Sequence, residues 1–306
     1  MTFRLAEFLG ANKALRLAEF GALGGAAGSL LTEVIRDTSR SSAVVLMVWV
    51  GLWFAVIGCC IATGITFAQF RYLRERSSLS EAFRSMALFA STSGFVAGAV
   101  AQGSYTTVGP TEPWRVVCWG IAGGLLALAL SYRIPNLPRL KAVLGGSIGG
   151  AIGGGLFICM SSLASQILGR LFGIASIGFS IGLMLGVVET VFRKAWLELQ
   201  YGPREIKTVL LGREPVTLGS DATRCTAYAP GAEAVACTFI FREGQVEFKD
   251  HKTGKHAVVS PAGKLNVGRL VVIVRQTGSD AERELVPNEK NNSSPLSTVE
   301  WWRDFK

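Results

Sequence analysis

Residues 142–168 read AVLGGSIGGAIGGGLFICMSSLASQIL, without one charged side chain. That exceeds the roughly 20 apolar residues a helix needs to cross a bilayer. Its glycines fall in two rows, Gly145, Gly149, Gly153 and Gly146, Gly150, Gly154, each spaced by four. Residues four apart share a helix face, and a glycine face lets a second backbone approach closely. The spacing returns at Gly178, Gly182 and Gly186. The pattern predicts two membrane helices packed tightly on each other. Self-association through the glycine faces is the sharper reading.

Four more runs meet the same length criterion, Ala43–Phe70, Met86–Tyr105, Val116–Tyr132 and Leu171–Phe192. A sixth, Leu17–Ile35, holds Glu19 and Glu33 near its ends and reads either as a span or as an interfacial helix. Residues 1–202 carry 16 basic and 9 acidic side chains, and residues 203–306 carry 15 and 13. A nucleic-acid binder would concentrate its positive charge in the soluble part. Here the excess gathers at the ends of apolar runs, at Arg4, Lys13 and Arg16, at Arg71, Arg74, Arg76 and Arg84, and at Arg133, Arg139 and Lys141. The alternate loops are poorer. Residues 106–114 have no Lys or Arg and the loop at Gly169-Arg170 has one, while Arg36 and Arg40 run against the pattern. The positive-inside rule then predicts six helices with both termini in the cytoplasm. Phe70-Arg71, Tyr132-Arg133 and Phe192-Arg193 close runs at spacings of 62 and 60 residues, which suggests three helical hairpins in series.

Ionisable groups inside membrane helices are functional candidates by default. Glu189 is the candidate here. It stands four residues before Arg193, so the expectation is an interfacial ion pair between them. Cys59, Cys60, Cys118 and Cys159 lie in apolar runs and read as packing residues. Cys225 and Cys237 belong to the other half and should be reduced in a cytoplasmic domain. No metal site or cofactor is expected.

After residue 202 the long runs stop. Ile206–Leu211, Val216–Leu218, Arg224–Tyr228, Ala234–Phe241, Gln245–Lys249, His256–Val259, Leu265–Val267 and Leu270–Arg275 are short, β-prone and separated by turn residues. Such spacing indicates a β-sandwich or barrel, with a hairpin turning at Glu243-Gly244. The domains are therefore 1–202, a glycine-rich helical part; 203–278, an all-β part; and 279–306, a polar tail ending near Trp301-Trp302. The fold class is a membrane α-helical bundle of about six transmembrane helices followed by a small all-β sandwich.

Val191-Phe192-Arg193-Lys194-Ala195-Trp196-Leu197, then Tyr201-Gly202-Pro203-Arg204-Glu205, then Pro215-Val216-Thr217-Leu218-Gly219 resemble bacterial membrane proteins with a cytoplasmic forkhead-associated (FHA) domain. The resemblance covers the end of the last helix and about 60 residues beyond it, matched element by element. It implies a β-sandwich in the cytoplasm of a cell held by the bacterial inner membrane. The family binds phosphothreonine peptides through an Arg after the first strand-end Gly, a Ser and His near the next strand, and a later Asn-Gly. Here Ser220 follows Gly219, residues 233–241 with Cys237 and Thr238 supply neither Arg nor His, and Thr253-Gly254-Lys255 lacks the Asn. Phosphate recognition relies on charge-assisted bonds from Arg, which Ser does not supply. Arg213 and Arg224 are the nearby cations that can compensate. Ser220, Arg213, Arg224, Thr238 and Lys255 are thus the expected partner-binding residues.

No nucleophile with a base, and no phosphate loop, emerges from the sequence. Gly145-Gly146-Ser147-Ile148-Gly149 matches a hydrolase pattern but lies inside an apolar helix, where the required strand–turn–helix setting is missing. The expected function is a non-enzymatic scaffold or adaptor. It would use the lipid bilayer and a cytoplasmic protein as partners and bind no nucleic acid. A small channel or transporter with a regulatory β-domain is the alternative.

Overall fold

The computed structural model describes residues 2–33, 42–73, 78–109, 111–132, 134–163, 166–202 and 205–277. Arg36, Arg40, Arg74, Arg76, Arg133, Pro203, Arg204 and the tail with Trp301-Trp302 lie outside them. The chain divides into two compact units, 1–192 and 193–306. The break falls ten residues before the boundary read from the sequence. Ala195–Gln200, assigned above to the helical half, is a strand that buries alternate residues Ala195, Leu197 and Leu199.

Among the described residues the first unit has six helices, α1 (Thr2–Glu33), α2 (Ala43–Leu73), α3 (Leu79–Val108), α4 (Glu112–Ser131), α5 (Arg139–Leu163) and α6 (Gln166–Val191). Local chemistry sets several ends. Ser78 caps α3 by accepting from the Glu81 amide at 3.1 Å, as a Ser three residues before a Glu is expected to do. Gly109, at φ +107°, ends the same helix. Helices α2 to α6 are long and apolar enough to cross a membrane. α5 ends at Leu163 and α6 begins at Gln166, so the expected Gly169-Arg170 loop lies inside α6. Gly169 and Arg170 carry loop-like chemistry, but the helical hydrogen-bond ladder absorbs both.

Each helix packs on its neighbours in sequence, and α6 packs on α1, which closes a ring. Apolar side chains fill the interior, among them Leu17, Ile61, Ile65, Met86, Leu130, Ile177 and Leu185, with the Phe54 and Trp119 rings stacked at 4.8 Å.

The glycines are the contacts of this ring. On α5 the two rows serve two different partners. A Cβ on Gly149 or Gly153 would meet the α6 backbone at Ser180 and Ile177, and one on Gly145 would meet the Val188 side chain of α6. Cβ atoms on Gly146 and Gly150 would meet Gly123 and Trp119 of α4. The α6 row turns away from α5: Gly178, Gly182 and Gly186 lie against Gly21, Leu17 and Ala14 of α1. α5 presents its glycines to α6, but α6 spends its own on α1. Helix α1 repeats the α5 arrangement, with Gly21 and Gly25 on α6 and Gly24 and Gly28 on α2.

The second unit holds β1 (Ala195–Gln200), β2 (Ile206–Leu211), β3 (Val216–Gly219), β4 (Ala227–Tyr228), β5 (Cys237–Arg242), β6 (Gln245–Asp250), β7 (His256–Val259), β8 (Lys264–Val267) and β9 (Leu270–Gln276). They form two sheets, ordered β2-β1-β9-β8 and β4-β3-β5-β6-β7. All pairs are antiparallel except β3 with β4. Leu197, Val209, Leu211, Val272 and Val274 of the first sheet and Val216, Leu218, Phe239, Val246 and Phe248 of the second are buried. Burial alternates along β1 in one sheet and β6 in the other, so each sheet turns one apolar face inward. The expected turn is present: Glu243 at φ +50° and Gly244 at φ +82° join β5 to β6, the paired positive φ of a two-residue hairpin.

Candidate functional site

Three loops meet at one end of the five-stranded sheet. They follow β3 (220–226), β4 (229–236) and β6 (251–255). The pairing Leu218 with Cys237 and Cys237 with Asp250 brings their starts side by side. Gly219 makes the convergence possible, because a Cβ there would collide with the Ala234 carbonyl and the Cys225 sulfur. The amides of Ser220 and Asp221 then donate to the carbonyls of Glu233 (2.9 Å) and Ala234 (3.1 Å). The His251 amide donates to the Ala236 carbonyl at 3.0 Å.

Side chains tie the loops further. Thr238 and His251 share a hydrogen bond, Oγ1 to Nε2, at 2.8 Å. Lys252 pairs with Glu233 at 3.4 Å on the open surface. Asp250 accepts from the Lys252 amide and the Thr253 hydroxyl, which shapes the turn before Lys255. Asp221 accepts from the Thr223 hydroxyl at 2.6 Å and the Thr223 amide at 2.9 Å. Those bonds, the hydroxyl first, hold its carboxyl below the ordinary value of 3.8, and Arg224 adds to the effect. Burial, then the Asp250 charge and Cys225, push the Cys237 thiol up to about 12. That thiol is a packing group and no nucleophile at neutral pH.

Of the expected partner-binding residues, Ser220, Thr238 and Lys255 belong to this end. Arg213 does not. It lies in the β2–β3 turn, where the Phe241 amide donates to the Gly212 carbonyl, at the opposite end of β3. Arg224 stands closer to that end: β4 runs parallel to β3, so the 220–226 loop returns toward the start of β3, and the Thr217 hydroxyl donates to the Arg224 carbonyl at 3.4 Å. Thr238 is buried and engaged by His251. His251 is the residue that the sequence reading missed. The surface is mixed in charge, with Asp221 beside Arg224 and Glu233 beside Lys252.

The second candidate lies in the helical unit. Glu189 is buried, and its Oε1 accepts from Lys13 Nζ at 2.5 Å. The same ammonium stands 4.9 Å from the centre of the Tyr72 ring. This corrects the expected Glu189–Arg193 pair. Helix α6 ends at Val191, so the four-residue face does not continue, and Arg193 stands over the Trp196 ring at 3.9 Å. At the other end of the same seam Arg170 of α6 pairs with Glu33 of α1 at 2.8 Å. Lys13 and Glu33 are 20 residues apart on one helix, or about 30 Å at 1.5 Å per residue. Two ion pairs thus bracket a seam of glycine contacts about as long as a hydrocarbon core is thick.

No family model, no characterised protein and no solved structure matches this chain.

Proposed function

We propose that the protein is a membrane-anchored adaptor without catalytic activity, which offers an FHA-like sandwich to a protein in the bacterial cytoplasm. The observation that carries this reading is the loop end of the β unit. It is a braced, exposed surface of both charge signs built from Ser220, Glu233, His251, Lys252 and Lys255. Braced loops on a sandwich are a usual platform for protein recognition. The two-sheet architecture supports the FHA-like assignment, and the mixed charges favour a partner recognised without phosphothreonine. The helical unit serves as the anchor, with six spans. α1 lies along α6 over its whole seam and crosses whatever α6 crosses. Both termini and the β unit are assigned to the cytoplasm on the basic residues at that end of the helices.

The test uses the full chain in native membranes with proximity labelling. Lys252→Glu should remove a defined neighbour that Arg213→Glu leaves in place. A neighbour set unchanged by Lys252→Glu would sink the reading. A channel or transporter is the second reading, favoured by the buried Lys13–Glu189 pair. Solute or ion flux in sealed vesicles that Glu189→Gln abolishes would establish it instead.

A further inference from the structure

The two ends of the helical unit treat their cations differently. At one end Arg115 pairs with Glu112 at 3.1 Å and Arg170 pairs with Glu33 at 2.8 Å. At the other end Lys13 pairs with Glu189, and three further cations face aromatic rings. Arg139 stands 4.5 Å from the Tyr132 ring centre, Lys141 3.9 Å from Phe192, and Arg71 5.8 Å from Phe67. Among the described residues none of these three makes an ion pair.

Arg139 and Lys141 reach opposite ways from the start of α5, one to the end of α4 and the other to the end of α6. A ring face attracts a cation without consuming its N–H donors, which remain available to an anion. Tyr132 is 53% exposed and Phe192 42%, and Leu140 between the two cations is 74% exposed. The surface therefore joins apolar area, ring faces and uncompensated positive charge at the level where the apolar helices end. That is the composition of a membrane–water interface contact.

We propose that this surface holds the phosphate headgroups of anionic phospholipids, one at Arg139 beside Tyr132 and one at Lys141 beside Phe192. The proposal rests on the membrane reading and adds a preference among lipids. Basic side chains near an anionic membrane surface are each worth about 1 kcal/mol, or about fivefold in lipid occupancy at 1.4 kcal/mol per tenfold.

The full chain would be reconstituted in phosphatidylcholine nanodiscs containing a minor share of phosphatidylglycerol, and the lipid retained on extraction into detergent weighed by mass spectrometry. Wild type should retain phosphatidylglycerol preferentially. Arg139→Gln with Lys141→Gln should lower that enrichment about fivefold, while the charge-keeping exchange Arg139→Lys with Lys141→Arg keeps most of it. Arg115→Gln, at the opposite end, should leave it unchanged. Equal retention of both lipids by the wild type, or undiminished enrichment in the double Gln variant, overturns the proposal. Displacement of the lipid by an equal concentration of free inorganic phosphate would do the same. Release of the protein from membranes by alkaline carbonate would instead overturn the membrane reading itself.

Discussion

The helical unit and the β unit reach close packing by opposite means. Along the α1–α6 seam side chains are removed: Gly178 lies against Gly21, Gly182 against Leu17 and Gly186 against Ala14, so backbone touches backbone. In the β unit side chains are supplied: Phe239 is fully buried and its ring lies 5.2 Å from Phe248. The solvent explains the difference. Lipid tails are as apolar as leucine, so burying more leucine gains little between membrane helices, and close approach with dispersion becomes the main attraction. In water the transfer of apolar area drives the sandwich. The ion pairs follow the same division. Lys13–Glu189 is buried beside the seam, whereas Lys252–Glu233 is exposed and worth little to stability.

The comparison breaks most visibly if the seam is filled. Gly182→Leu places a side chain against the Leu17 backbone, where nothing flexible can yield. Its cost should exceed the roughly 3 kcal/mol of ordinary overpacking. The readout is loss of the folded form in a denaturant titration in detergent. Gly155→Ala is the contrast: a Cβ there meets nothing within 4 Å, and the helix should gain up to about 1 kcal/mol. The β unit should respond to emptying instead. Phe239→Ala is expected to cost about 3–5 kcal/mol, seen as an earlier unfolding transition of the β unit by near-ultraviolet circular dichroism.

Breaking the buried pair comes next. Glu189→Gln leaves the buried Lys13 without its carboxylate partner, at a cost of about 3 kcal/mol or more. Replacing both partners, Lys13→Met with Glu189→Leu, should restore most of that loss. A double variant as unstable as the single one would show that the pair does more than close the seam.

Smaller effects probe the loop end. Thr238→Val removes the bond to His251 and should cost about 1 kcal/mol, measured by chemical denaturation of the full chain. Cys237 stays a neutral thiol in the folded state to about pH 12, against an ordinary value of 9.0. A group that holds its proton longer when folded stabilises below its unfolded pKa and loses that contribution as pH rises. Stability should therefore decline between pH 9 and 12, and Cys237→Ala should flatten the decline. Alkylation at pH 8 should reach Cys237 only on unfolding.

Periodicity carried much of the fold. The apolar runs became helices, and strands such as Ile206–Leu211 and His256–Val259 kept their sequence boundaries. β1 was missed because Ala195-Trp196-Leu197-Glu198-Leu199-Gln200 follows an apolar helix closely, with only Phe192, Arg193 and Lys194 between them. Its alternation of period two, with Ala195, Leu197 and Leu199 inward, was the available signal. The candidate site was legible in part. Ser220, Thr238 and Lys255 share one end because β3, β5 and β6 are neighbours, but Arg213 was separated from them by the length of a strand.

By itself the sequence determined which segments are helical, which are extended, and that five of the helices suit a bilayer, because these properties follow from local composition and repeat. Charge at Glu19 and Glu33 left the segment Leu17–Ile35 readable either as a span or as an interfacial helix. Only the tertiary structure decided that α1 closes the ring, that the α6 glycines face α1, and that Glu189 finds a partner 176 residues away. Every helix face with small residues is locally equivalent. Which of them meet is settled by the joint packing of all six helices, and no window of the sequence contains that information.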